Sequence, residues 1–190
     1  MEPTEVRDHL EMVDRILAQA NRAIQTRGTL FILWGVVAAI LNLTAQMAVN
    51  AGAWQLWQTV LDGGLYLAAI VISIAYVRRY QKSGRLNVTE LQFIRILWIS
   101  LAAAFVAEVG APNIFTHWAM SAIWSICIAI PLLFIGAQGQ RYALAGGVVL
   151  LASVIVANYT PHTTGIVLAI GDIVGYAGAG VAFELQRRDG

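Results

Sequence analysis

Two aspartates stand inside otherwise apolar runs, and each is followed by tyrosine after four residues and alanine after three more. Asp62, Tyr66 and Ala69 form one set, and Asp172, Tyr176 and Ala179 form the other. Steps of four and three keep side chains on one helix face. The chemistry open to such a face is narrow. A carboxylate binds a proton or a cation, or accepts hydrogen bonds, and a phenol donates one. Glu108 adds a third carboxylate near the end of another apolar run, and Asn42 and Gln46 add amides to the first. Asp62, Tyr66, Glu108, Asp172, Tyr176 and Asn42 are therefore the candidate polar site. Acids within a membrane usually face a bundle interior and often mark proton or cation paths. If the faces converge, the acids line one cavity at three depths, with Asp172 near the midplane and Asp62 closer to the outer interface.

A second use of the same residues is packing. A protonated aspartate can hydrogen-bond a neighbouring Tyr, Asn or carbonyl and hold helices together. Gly171 and Gly175 form a GxxxG pair, and Gly178 and Gly180 are expected to continue that thin surface. Small faces of this kind let backbones approach without any ligand.

Other chemistry is poorly supported. His117, His162 and Glu108 are the nearest approach to a two-histidine, one-carboxylate metal set. They come from separate loops with no local ligand spacing, so no metal is expected. Glu184 and Arg188 have the i,i+4 spacing of a helix-end ion pair. No nucleophile–base pair, phosphate loop or cofactor fingerprint is present, so neither an enzyme nor a cofactor is expected. Cys127 is the only cysteine and lies in an apolar setting, which fits an inert packing thiol.

The elements that must carry these residues are membrane spans. The 190 residues are 58% hydrophobic and 12% charged, with a mean hydropathy of +0.68. Soluble domains carry about twice that share of charge. Six runs are apolar and long enough to cross a bilayer, near residues 29–49, 56–78, 90–109, 114–136, 141–158 and 163–185. The expected fold is all-α, a six-transmembrane-helix bundle over residues 29–190 preceded by a cytoplasmic amphipathic helix over 1–28. All twelve Lys and Arg fall on one side of these six runs. The positive-inside rule then places both termini in the cytoplasm, with the chain in the plasma (inner) membrane. The first 27 residues lack the apolar core of a signal peptide, so insertion without cleavage is expected. A net charge of +1 without an aromatic-interleaved basic cluster argues against nucleic acid as a partner.

Residues 4–27 read as an amphipathic helix. Leu10, Leu17 and Ile24 recur every seven residues, as do Val6, Val13 and Ala20, and the two sets interleave as a bundle seam. An interfacial lipid binder would carry Trp, Phe and many Lys residues. The first 27 residues have none of these and hold five acids against four arginines. Docking to protein, either another copy of the chain or a membrane or cytoplasmic partner, is the better expectation. A non-enzymatic membrane component that assembles through helix packing follows as the leading functional expectation. A transporter or channel for protons, cations or a small polar solute is the alternative.

Overall fold

The computed structural model describes residues 28–51, 55–82, 88–110 and 117–189, and within these every regular element is helical. The helices lie on the apolar runs because a chain in hydrocarbon must satisfy its backbone polar groups internally. They are α1 (Thr29–Ala51), α2 (Gln55–Lys82), α3 (Val88–Gly110), α4 (His117–Ala137) and α5 (Arg141–Asn158). A last rod follows, made of α6 (Thr164–Gly171), a π-helical segment (Asp172–Ala177) and α7 (Gly178–Asp189).

Five of these helices are long and apolar enough to cross a membrane, by length and composition: Thr29–Ala48, Val60–Arg79, Trp118–Ala137, Arg141–Asn158 and Thr164–Arg187. At the third expected span, α3 runs for 23 residues, and Gln92–Ala107 is the apolar stretch within it whose side chains are described. Arg95 projects from that stretch to the exposed surface. The amphipathic helix expected over 4–27, with Val6, Leu10, Val13, Leu17, Ala20 and Ile24, lies outside the described residues.

The last rod packs between α1 and α5, and α4 pairs with both α5 and α3. A core of Phe31, Trp34, Phe93, Leu97, Leu132, Leu150, Tyr176 and Phe183 runs through these contacts. Phe31 stacks on Phe93 at 4.4 Å between ring centroids and meets Tyr176 and Phe183 at 5.4 and 5.3 Å. One residue of α1 thus ties α3 to the rod. By contrast α2 sits at an edge, and only 11% of its apolar window is buried.

Glycine governs how near the rod comes to its neighbours. A Cβ at Gly175 would lie 2.7 Å from the Gly146 carbonyl oxygen, and one at Gly180 would lie 2.6 Å from that of Gly28. Real side chains do not tolerate such contacts, so backbone meets backbone on both sides of the rod. Gly139 ends α4 with φ +100. Its N–H donates to the Gly136 carbonyl at 3.0 Å, and that of Gln140 donates to the Ile135 carbonyl at 3.4 Å, as in a Schellman turn.

Candidate functional site

The centre of the polar cluster is a contact between α1 and the π-helical segment. Asn42 Nδ2 donates to Asp172 Oδ2 at 2.8 Å, across 130 residues of sequence. Asp172 and Tyr176 are both 0% exposed. Asp172 Oδ1 and Tyr176 Oη have no hydrogen-bond partner. Asp172 opens the π segment, whose end is marked by the Gly178 N–H donating five residues back to the Ile173 carbonyl. A wider turn of this kind takes up an extra residue and often marks a functional position. It also changes which residues face inward. Straight α-helical counting puts Gly178 on the Gly171 and Gly175 face, but the π-turn carries it to the exposed surface, while Gly180 is buried against α1.

Asp62 belongs to a different contact. Thr44 Oγ1 donates to Asp62 Oδ1 at 3.1 Å, and Asp62 is partly buried. Asn42 and Thr44 are two residues apart on α1, so their side chains diverge by about 200°. The helix α1 therefore stands between Asp62 and Asp172, and the two acids do not share one cavity. Their donors are separated by only about 3 Å along the α1 axis, and each acid sits roughly two turns from the start of its own helical segment.

The remaining polar stripe of α2 faces protein. Ala69 and Ser73 are buried, and Trp34 Nε1 donates to Ser73 Oγ at 3.0 Å. Tyr66 packs between Trp34 and Trp124, with centroids 6.4 and 5.4 Å away. On the other side, Leu67, Val71 and Ile72 are exposed. Asp62 and Tyr66 thus lie on the α1 side of α2, while Asn42, Asp172 and Tyr176 form a separate group.

Glu108 lies within α3 and His117 begins α4, but both side chains lie outside the described ones. His162 is exposed in the α5–α6 turn, where its carbonyl accepts from Gln46 Nε2 at 3.1 Å. Gln46 Oε1 also accepts the Gly165 N–H at 2.9 Å, so this one amide clamps the turn to α1. Among the described residues, no three His, Cys, Asp or Glu side chains form a group that could hold a metal ion.

Sequence reasoning missed Thr44, and it placed Ser73 on the stripe of Asp62, Tyr66 and Ala69 without its partner Trp34, because hydroxyls on apolar helices give no local signal of their partners. It also missed the role of Glu184. The Gly28 N–H and Thr29 Oγ1 both donate to Glu184 Oε1 at 3.0 Å. Glu184 thereby caps α1 from the far end of the chain, where a carboxylate favours the helix dipole. Its described ion partner is Arg187, at 3.1 Å and three residues on, and the Arg188 side chain lies outside the described ones. No family model, curated protein or solved structure matches the chain.

Proposed function

We propose that this is a non-enzymatic, six-crossing membrane component, with both termini cytoplasmic, that acts by assembling with copies of itself or with a partner protein. The observation that carries the reading is the uncovered face of α2. Gly63, Gly64, Ala68, Val71 and Ala75 are exposed there, and a Cβ at either glycine would meet nothing within 4 Å. Gly64 and Ala68 give the small-xxx-small spacing that lets a second transmembrane helix approach. Residues 4–27 supply a cytoplasmic docking helix in the same reading.

Gly64→Leu fills open space and leaves the fold intact, so it isolates the lateral surface. The expected outcome is loss of oligomers or co-purifying partner in native membranes, counted by single-molecule photobleaching, at an unchanged thermal midpoint. Replacing Leu10, Leu17 and Ile24 by Ser should weaken recovery in the same way. A chain that is monomeric and partner-free at every concentration before substitution would sink the proposal.

The second reading is transport of protons, cations or a small polar solute. The burial of Asp172 supports it, as an acid so placed costs a few kcal/mol by insertion scales. Liposome flux that vanishes in Asp172→Asn would favour transport over assembly alone.

A further inference from the structure

Asp172 Oδ1 and Tyr176 Oη are both fully buried and both unpartnered. They sit one turn apart on the same side of the rod, at its π-helical winding. Asn42 supplies Asp172 with one amide donor, which is a dipole and not a countercharge. The described Arg side chains (Arg78, Arg79, Arg95, Arg141 and Arg187) and His162 are all exposed, so none of them can face this interior. From α1 the cluster meets Asn42 and Phe31. From α5, Ser153 lies against Gly171 and Leu150 against Gly175. Among these neighbours Tyr176 is the one other titratable group.

We propose that Asn42, Asp172 and Tyr176 form a binding site for one dehydrated monovalent cation, sodium first of all, held between α1 and the π-helical segment. The donor chemistry selects the class. Carboxylate and hydroxyl oxygens suit hard cations, and a single carboxylate balances a single positive charge. Closure selects the size. Zero exposure of both residues and backbone contact at Gly146 and Gly175 exclude an organic ammonium ion. A neutral water beside them would leave an ionised carboxylate uncompensated, and protonation of the carboxyl is the alternative that the pH arm of the test separates. The site is independent of lateral assembly, which uses the opposite edge of the bundle.

The test uses the full chain in nanodiscs, with radiolabelled sodium binding and the thermal midpoint measured in sodium chloride and in choline chloride at equal ionic strength. Saturable binding of one ion per chain and a higher midpoint in sodium are expected, because a ligand that binds only the folded state stabilises it. Binding should weaken as pH falls, since the proton competes for Asp172. Asp172→Asn should abolish binding, and Tyr176→Phe should weaken it by about tenfold or more. Tyr176→Phe keeps the ring and removes only the orphan hydroxyl, so it decides the matter if Asp172→Asn does not fold. Equal midpoints and no saturable sodium binding would overturn the proposal, as would unchanged affinity in Tyr176→Phe. A midpoint that responds to pH but not to sodium would also overturn it, assigning the cluster to a proton.

Discussion

Asn42 is the side chain on which the buried polar cluster turns. It provides the described donor to Asp172 Oδ2, and both residues are shielded from solvent. Interhelical hydrogen bonds in a bilayer average only about 0.6 kcal/mol. Leaving a buried polar group without its partner costs more, about 1–3 kcal/mol. The second effect governs here, because the acceptor is a carboxylate with its other oxygen already unpartnered. Asn42→Leu should therefore destabilise the protein by about 1–3 kcal/mol in reversible denaturation from micelles. In an Asp172→Leu background the same substitution should cost less, because the acceptor is gone. Equal costs in both backgrounds would mean that the hydrogen bond contributes nothing.

Helix contacts in this bundle divide by what the glycines face. Gly175 and Gly146 meet backbone across the rod–α5 interface, whereas Gly63 on α2 faces open space. The same chemical change should then have opposite signs at the two places. Gly175→Ala must push α5 away and should cost about 1–3 kcal/mol, the usual range for overpacking. Gly63→Ala meets no neighbour within the chain, so in the dissociated monomer it should stabilise α2 by up to about 1 kcal/mol through helix propensity. Paired thermal midpoints measure both. Loss of that gain where the chain is assembled would mark the α2 face as covered by a second helix, as the proposed assembly requires.

Across the whole molecule, two ends of the chain are tied together. Glu184 caps α1 at Gly28 and Thr29, so the point where residues 1–27 join the bundle rests on the last helix. Five of the described helices are apolar and long enough to span, and whether α3 crosses as well is open to direct test. Reporter fusions at Gly190 and near Asn50 should report opposite sides of the membrane, as should fusions at Arg85 and Asn50. Fusions at Gly190 and Arg85 on opposite sides would remove α3 or one of the later helices from the list of crossings.

The helical class, the apolar runs and the inward stripe of α2 were legible in the sequence, because hydropathy and helical periodicity are local properties. Asp62, Tyr66, Ala69 and Ser73 share a face by counting alone, and Ala69 and Ser73 are indeed buried. Counting failed at Gly178, where the π-turn replaces the α-helical period it assumes. Counting also cannot say which face meets which neighbour. Asn42 chooses Asp172 and Thr44 chooses Asp62 only once α1 is placed between α2 and the rod. On the rod side that placement follows from how closely glycine lets backbones approach, and on the α2 side from Trp34 and Thr44 meeting Ser73 and Asp62; both are properties of two surfaces together and of neither segment alone.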